Sequence, residues 1–238
     1  MDNLSRRTFL IFATGALAAP QALPAWPGIA EVPRLLDHIL LGASDLDRGI
    51  AFVEEQTGVR AAFGGVHPGR GTQNALVSLG ERRYLEIIAP DPKQAGVEQY
   101  SLITKLAEPR LIGWAAHRDD LEQFAEQLRK QGIEFAGPEA GSRQRPDGKL
   151  LRWRALRLKN DYGGLLPFFI EWSQDSVHPS VDAPQGCTLT RFEAATPRRE
   201  DLLEAVSRVQ LDLDVRTLDH PSLRASLSSP KGHFSVSS

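Results

Sequence analysis

Two stretches of the sequence, residues 35–89 and 111–173, repeat one order of secondary structure, and this repetition limits the fold more than any other feature. Each stretch begins with a short apolar strand, continues with an amphipathic helix and ends with three further strands. Placing Asp45-Leu46 on Asp120-Leu121 aligns the two units without a gap through the helix. We therefore predict an α+β fold in which two β-α-β-β-β units pack together.

The bounds of the predicted elements follow from capping residues and glycines. Ser44 or Asp45 caps the first helix, which Gly58 ends, and an aspartate at 119 or 120 caps the second, which Gly132 ends. The predicted strands lie at residues 35–41, 59–63, 72–79 and 82–89 in the first unit and at 111–116, 133–136, 150–158 and 166–173 in the second. Both units fall within one predicted domain, residues 30–178.

A third, weaker copy of the pattern can be traced over residues 187–238. Its predicted elements are a strand at 187–194, a helix at 197–209 and short strands at 213–217, 222–227 and 232–236. An unrelated C-terminal α+β appendage would produce the same pattern. No long flexible linker precedes this segment, so we expect it to pack on the same domain as a degenerate third unit or as such an appendage.

The N-terminus carries a targeting pattern. Residues 5–10 read Ser-Arg-Arg-Thr-Phe-Leu, and a weakly apolar stretch follows at residues 11–19. This resembles a twin-arginine export signal that ends at Ala18 or Ala25; a basic, frayed N-terminus is the alternative. We expect residues 1–29 to engage the twin-arginine export machinery and the mature protein to be periplasmic or secreted. No second apolar segment approaches membrane-spanning length, so stable membrane insertion is not expected after cleavage.

Charge and cysteine content exclude several classes of function. The formal net charge is −2, from 28 Lys and Arg against 30 Asp and Glu, and the two signs are mixed along the chain. No basic stripe is available to neutralise phosphates, so we do not expect nucleic-acid binding. Cys187 is the only cysteine, which excludes an intrachain disulfide and a cysteine-built zinc site. Any metal ion would be bound by nitrogen and oxygen atoms.

Three polar side chains interrupt the apolar strands of the repeat. Glu86 and Glu171 each lie in the last strand of a unit, and His38 lies within the first strand. A buried carboxylate needs a cation, strong hydrogen bonds or a proton. If these strands line one cup, the three side chains converge on a single divalent metal ion. The alternatives are a hydrogen-bonded core histidine and carboxylates that face outward or pair with an arginine.

Two further groups are candidates for contact with a substrate. His67 and Asn74 lie in a glycine-rich loop, residues 64–74, which can equally be only a tight connection. A second group of basic residues surrounds Trp153: Arg143, Arg145, Arg152 and Arg154. These arginines can bind a substrate carboxylate, or they form a solvated cationic strand face.

Four segments of the repeat point to a known family. They read Asp-His-Ile at 37–39, His-Pro-Gly-Arg-Gly-Thr-Gln-Asn-Ala-Leu at 67–76, Tyr-Leu-Glu-Ile-Ile-Ala-Pro at 84–90 and Pro-Phe-Phe-Ile-Glu-Trp at 167–172. With the repeat, they resemble a glyoxalase-like domain of the vicinal oxygen chelate superfamily. The resemblance implies paired half-barrels that bind a metal through first-strand and last-strand residues, which here are His38, Glu86 and Glu171.

The chain departs from the family at one ligand position. Gly113 stands where glyoxalase lyases usually have a ligand, so the resemblance does not extend to a lyase of that kind. His117 either reaches the metal from the rim of the site or belongs to the turn between strand and helix. Zinc, manganese, nickel or iron(II) would suit one imidazole and two carboxylates.

The function we expect is a metal-dependent enzyme of isomerase or lyase type that acts on a small oxygen-rich molecule. Glu86 or Glu171 would serve as the base. One histidine and two carboxylates differ from the two-histidine, one-carboxylate set of iron(II) oxygenases, which disfavours a ring-cleaving dioxygenase. The competing class is a non-catalytic protein that binds and sequesters a small molecule.

Overall fold

The computed structural model describes residues 31–94, 102–145 and 147–238, and the predicted export signal lies outside them. Within these residues the chain forms twelve strands and four α-helices. The strands are β1 (Leu36–Gly42), β2 (Ala62–His67), β3 (Thr72–Ser78), β4 (Tyr84–Pro90), β5 (Arg110–His117), β6 (Phe135–Gln144), β7 (Leu150–Leu158), β8 (Phe168–Trp172), β9 (Thr188–Ala195), β10 (Asp214–Arg216), β11 (Ser222–Ser229) and β12 (Gly232–Ser237). The helices are α1 (Leu46–Thr57), α2 (Leu121–Lys130), α3 (Pro179–Asp182) and α4 (Arg199–Arg208).

The first eight strands form one closed barrel, in the order β1-β4-β3-β2-β6-β7-β8-β5. Within each unit the first strand runs parallel to the last, so that β1 lies beside β4 and β5 lies beside β8. The units meet at two seams, because β1 pairs with β5 and β2 pairs with β6 through Val66 and Gln144. The predicted fold of paired β-α-β-β-β units is confirmed, and the two half-barrels close into one barrel.

Alternate residues of the barrel strands face opposite sides of the sheet. Helix α1 covers the outer face of the first unit so closely that a Cβ on Gly49 would lie 2.6 Å from the Ile87 side chain. Helix α2 covers the second unit, where the rings of Phe124 and Phe169 are 4.5 Å apart. Outward-facing residues therefore form a helix-covered apolar core, and inward-facing residues line the barrel interior. In the part of the chain that is described, every helix is too short or too polar to span a bilayer.

Two strands are longer than the sequence pattern predicts. Strand β2 continues through Gly64-Gly65, with a change of register after Phe63. Strand β6 continues through Gly137-Pro138 and changes register at the same point. In both strands glycine marks a β-bulge inside the strand, whereas the sequence pattern assigns it to a loop or a joint.

The C-terminal segment forms a four-stranded sheet in the order β10-β9-β11-β12, with α4 connecting β9 and β10. It has the predicted β-α-β-β-β order along the chain. Its first strand, however, lies between its second and third strands and not beside its last. The sheet packs on the barrel, with ring centroids 5.1 Å apart for Trp114 and Phe192 and 5.9 Å apart for Phe52 and Phe234. Buried apolar side chains of the three units form one continuous cluster.

Candidate functional site

The inward-facing residues enclose a cavity of about 70 Å³ inside the barrel. Its polar wall includes His38, His67, Arg70, Asn74, Glu86 and Arg143. The aromatic part of the wall comes from Tyr84, Trp153, Phe168 and Trp172. Acid–base groups, cations and flat aromatic surfaces therefore meet in one small enclosure, which is the arrangement typical of a small-molecule site.

Glu86 is the one acidic side chain among the described residues that line this cavity. It lies in the middle of β4, is 7% exposed and shares its face of the strand with Tyr84, as strand alternation predicts. The Asn74 amide Nδ2 donates to Glu86 Oε1 at 2.7 Å. His38 Nε2 lies 3.5 Å from Oε2, and His67 Nε2 lies 3.7 Å from Oε1. The buried carboxylate thus has an imidazole near each of its oxygens.

Asp37 is buried behind the cavity wall and orients His38. It accepts hydrogen bonds from His38 Nδ1 at 2.7 Å, Trp172 Nε1 at 3.0 Å and His178 Nε2 at 3.2 Å. Burial raises the pKa of the Asp37 carboxyl, but the hydrogen bonds and electrostatic attraction of His178 and His38 outweigh this and hold the pKa well below its usual range. Because Nδ1 of His38 is engaged by Asp37, Nε2 is the nitrogen that faces Glu86.

His67 ends β2 and is also buried. Its Nδ1 lies 2.9 Å from Thr72 Oγ1, and its Nε2 lies 3.4 Å from Asn74 Nδ2. Burial lowers the pKa of His67 more strongly than the nearby Glu86 carboxylate raises it. The ring is therefore neutral near pH 7 and can accept or release a proton beside Glu86.

Glu171 does not join this site, which corrects the sequence prediction. Residues Phe168, Ile170 and Trp172 of β8 face the cavity, and Glu171 faces the opposite side of the strand. Its Oε2 accepts from the Leu121 backbone N–H at 3.2 Å, at the first turn of α2. The physical reason is strand alternation, since a shift of one residue exchanges the two faces of the sheet.

The donor atoms around the cavity do not fit the predicted three-ligand metal centre. Among residues 31–94, 102–145 and 147–238, no group of three or more His, Cys, Asp or Glu side chains is arranged to hold a metal ion. The Asn74 amide nitrogen donates a hydrogen bond to Glu86 Oε1 at 2.7 Å and lies 3.4 Å from His67 Nε2. Apolar residues occupy the wall of β8 where the third ligand was expected.

The other predicted site residues divide into two sets. His67, Asn74 and Trp153 line the cavity, and their contact with a substrate stays a prediction. His117 and Arg152 do not line it. His117 Nε2 lies 2.8 Å from Asp119 Oδ1 at the end of β5, and the half-exposed Arg152 pairs with Asp175 at 3.1 Å.

Three cavity residues and the orienting Asp37 are not predicted as site residues from the sequence: Arg70, Tyr84 and Arg157. A signal for Arg157 is present in the period of two along β7. Trp153 and Arg157 lie an even number of residues apart and share a face, whereas Arg152 and Arg154 flank Trp153 and must face away from it. Arg143 is one of the four arginines that the sequence offers as candidates, but the period of two does not separate it from Arg145, because the two positions are an even number of residues apart.

The outward position of Glu171 leads to a prediction. Glu171→Gln should leave ligand binding and turnover in the cavity unchanged and lower the free energy of unfolding by less than about 1 kcal/mol, the usual size of a charge at a helix N-terminus. Urea unfolding followed by circular dichroism measures the stability change. Loss of ligand binding in a folded Glu171→Gln protein would contradict this assignment.

Comparisons with known proteins agree with the geometry. The family described as a glyoxalase-like domain matches residues 36–210. A hypothetical protein from Staphylococcus aureus superposes with a TM-score of 0.60 at 19% identity, covering 84% of each chain. Methylmalonyl-CoA epimerase from Mycobacterium tuberculosis gives a TM-score of 0.43 at 22% identity, covering 58% of this chain and 87% of its own. No curated protein matches the chain in sequence. At these identities the structural likeness concerns the fold alone.

Proposed function

The chain belongs to the glyoxalase-like domain family, and from that premise we propose that it is an isomerase- or lyase-type enzyme acting on a small oxygen-rich molecule in the barrel cavity. The observation that carries this proposal is Glu86, a buried carboxylate on the cavity wall that has an imidazole near each oxygen. Such a group, shielded from water, can remove a proton from carbon next to a carbonyl.

The hydrogen bonds of Glu86 indicate which oxygen acts. Asn74 occupies Oε1, so Oε2 is the oxygen available to a substrate. In the proposed step Oε2 takes a proton from the carbon next to a carbonyl, the electron pair of that C–H bond forms the C=C bond of an enolate, and the π pair of the carbonyl moves onto its oxygen. Return of the proton to the opposite face of the carbon completes an isomerisation, and departure of a leaving group with its bonding pair from the β carbon, as the carbonyl re-forms, completes a lyase reaction. His38 Nε2, 3.5 Å from Oε2, is positioned to exchange the proton.

The cavity also contains groups that oppose the negative charge of an enolate. The guanidinium of Arg143 lines the cavity within the electrostatic range of Glu86. A fixed positive charge in a water-poor site stabilises an enolate oxygen more than the neutral substrate. Proton removal by Glu86 and charge stabilisation by Arg143 together support a reaction that proceeds through an enolate.

A non-catalytic binding protein is the second candidate. The observation that favours it is the aromatic wall, in which the rings of Trp153 and Trp172 lie 5.6 Å apart beside the cationic side chains. Aromatic faces and guanidinium groups retain a flat anionic ligand without any chemistry. The proposed step breaks a C–H bond, so the proton can exchange with solvent before it returns, whereas a binding protein leaves the C–H bond intact.

The assay that separates the two candidates is deuterium incorporation in D2O, followed by proton NMR. A panel of α-keto acids, β-keto acids and their neutral amides would be incubated with the full chain. Exchange at the carbon next to the carbonyl, above the rate with buffer alone, supports the enzyme. Saturable binding of panel members without exchange of any of them supports the sequestering protein.

Metal dependence has its own test. Members of the superfamily commonly bind divalent metals, but the proposed proton transfer uses only side chains of this chain. Protein treated with EDTA and dialysed should keep its exchange activity and its melting temperature. Activity that disappears with EDTA and returns with Zn²⁺, Mn²⁺, Ni²⁺ or Fe²⁺ would support the metal-dependent reaction that the sequence suggests.

Export is the second part of the proposal. The Arg6-Arg7 pair should direct the chain to the twin-arginine pathway, so Arg6→Lys combined with Arg7→Lys should leave a full-length precursor in the cytoplasmic fraction. Immunoblotting of periplasmic and cytoplasmic fractions gives the readout. Arg34→Lys, at an exposed position beyond the signal, is the matched control and should be exported normally. Normal processing of the double variant would contradict export by this route.

A further inference from the structure

We infer that the substrate carries a carboxylate, which the guanidinium of Arg143 binds inside the barrel with Arg70 beside it. This inference rests on the proposed function, because it assigns the substrate class of the same cavity. It follows from the burial of Arg143, from its lack of an acidic partner in the described ranges and from the glycine that leaves room for its side chain.

Arg143 is a buried cation that has no carboxylate partner among the residues the structure describes. Its residue is 4% exposed, and its Nη1 donates to the backbone carbonyl of Gly64. Among the described residues no carboxylate oxygen lies within ion-pairing distance of the guanidinium, although Glu86 lines the same cavity. Burial lowers the pKa of the Arg143 guanidinium, but an arginine stays charged in proteins. A buried charge in this state is stabilised when an anion binds beside it.

Neighbouring arginines of the same hairpin are paired. Arg145 pairs with Asp182, Arg152 with Asp175 and Arg154 with Glu122. All three side chains lie outside the cavity, and each already has a carboxylate of the protein. Arg143 thus differs from them in its position on the cavity wall and in having no anionic partner within the described part of the protein, which indicates a ligand as its partner.

The glycines of β2 keep the space that Arg143 occupies. A Cβ on Gly64 would lie 2.8 Å from Arg143 Nη1 and 2.4 Å from Asn74 Oδ1. Asn74 is itself buried, and its Oδ1 has no hydrogen-bond partner in the described part of the chain. The seam between β2 and β6 therefore holds an unpaired cation and an unpaired acceptor next to one cavity. An anionic group of a ligand would satisfy the cation, whereas the acceptor calls for a hydrogen-bond donor elsewhere on the same ligand.

The balance of charge in the cavity also favours an anion. Among the described residues that line it, Arg70, Arg143 and Arg157 are basic and Glu86 is the one acidic residue. The guanidinium carbon Cζ of Arg157 lies 5.0 Å from the centre of the Phe168 ring, so this guanidinium is next to the aromatic wall of the cavity. A carboxylate is flat and offers two oxygens to a planar guanidinium, so it suits a cavity of about 70 Å³ better than a tetrahedral anion such as phosphate. The negative charge of Glu86 also repels a doubly charged phosphate more strongly than a singly charged carboxylate.

The experiment measures binding of pyruvate and malonate to the full chain by isothermal titration calorimetry, with pyruvamide, malonamide and inorganic phosphate as comparison probes. The carboxylates should bind, and the neutral amides should bind roughly 10- to 150-fold more weakly, the factor that corresponds to a charged hydrogen bond. Equal affinity for carboxylates and amides would overturn the inference, as would a clear preference for phosphate over every carboxylate.

Variants locate the anion. Arg143→Gln should weaken carboxylate binding by a similar factor, and Arg70→Gln, at a less buried position, keeps the test valid if the first variant does not fold. Arg152→Gln removes an exposed, paired arginine and should bind as the unchanged protein does. Wild-type affinity in folded Arg143→Gln and Arg70→Gln proteins would overturn the inference.

The Glu86→Gln variant tests the carboxylate site and the proposed proton transfer separately. This variant removes the base and one negative charge, so it should bind carboxylates at least as well as the unchanged protein while losing proton exchange. Carboxylate binding that is lost in Arg143→Gln and Arg70→Gln but kept in Arg152→Gln and Glu86→Gln supports the anion site. Full exchange activity in Glu86→Gln would contradict the proposed function and leave the anion site intact.

Discussion

Glu86→Gln is expected to lower the rate of deuterium exchange by about 10²- to 10⁴-fold, the range that a positioned general base contributes. Glutamine keeps the shape of the side chain but cannot take a proton from carbon. Its amide oxygen can still accept the hydrogen bond that Asn74 Nδ2 donates to Glu86 Oε1. The variant should therefore fold normally, and proton NMR of a responsive panel member in D2O measures the loss.

The matched control is Glu171→Gln, which makes the same chemical change in the last strand of the other unit but on the outer face of the barrel. Exchange should continue in this control at the unchanged rate. Equal losses in both variants would show that the effect is not specific to the cavity. An unchanged rate in a folded Glu86→Gln protein would remove Glu86 as the base.

Asp37→Ala is expected to lower the free energy of unfolding by about 3–5 kcal/mol, the usual cost of removing one member of a buried ionic network. The substitution leaves three donors without their acceptor: His38 Nδ1, Trp172 Nε1 and His178 Nε2. Urea unfolding followed by tryptophan fluorescence and by circular dichroism measures the change. Asp175→Ala, which breaks an exposed pair with Arg152, should cost less than about 1 kcal/mol and is the matched control.

The same carboxylate should make stability depend on pH. Because the pKa of Asp37 is lower in the folded chain than in the unfolded chain, its contribution is present above the unfolded value of about 3.9 and is lost as the pH falls below it. Asp37→Asn removes the titrating group, so its unfolding free energy should fall less steeply than that of the unchanged protein between about pH 5 and pH 3. If the unfolding free energy of the two proteins fell with the same slope over this pH range, the pKa of Asp37 would not differ between the folded and unfolded chains.

Replacement of Asp37 should also affect His38. The hydrogen bond to Asp37 leaves Nε2 of His38 facing Glu86. With Asn at position 37 the acceptor that holds this tautomer is weaker, so exchange activity should fall even where the protein remains folded. Asp37 would act through the position and tautomer of His38. The readout of such a role is a change in the pH dependence of the exchange rate as well as in the rate itself.

The repeated pattern of the sequence contains most of the barrel. Apolar strands, aspartate caps and closing glycines recur at matching positions, and each of these signals depends on residues close together in the chain. Helix α1 begins at an Asp45 cap and ends at Gly58, as predicted, and α2 begins at an Asp120 cap. Local hydrogen bonds and local periodicity determine such elements, so one sequence is enough to identify them.

The site depends on a different kind of information. The sequence predicts His38 and Glu86 as site residues because a polar side chain inside an apolar strand needs a polar partner, and both line the cavity. Glu171 satisfies the same criterion but faces α2, since its carboxylate accepts from the Leu121 N–H. Whether a polar residue in a strand faces the cavity or a helix depends on the register of that strand, which no local pattern distinguishes when both faces are apolar.

The sequence by itself therefore determined the β-α-β-β-β units, the two helices that cover them and the first-unit half of the site. Only the tertiary structure decided which face of β8 is inward, that Arg143 reaches the cavity past a bulge, and that Asp37 collects three donors from distant segments. The reason is that secondary structure arises from neighbours along the chain, whereas closure of the barrel joins β1 to β5 and β2 to β6 and sets which side chains meet inside it.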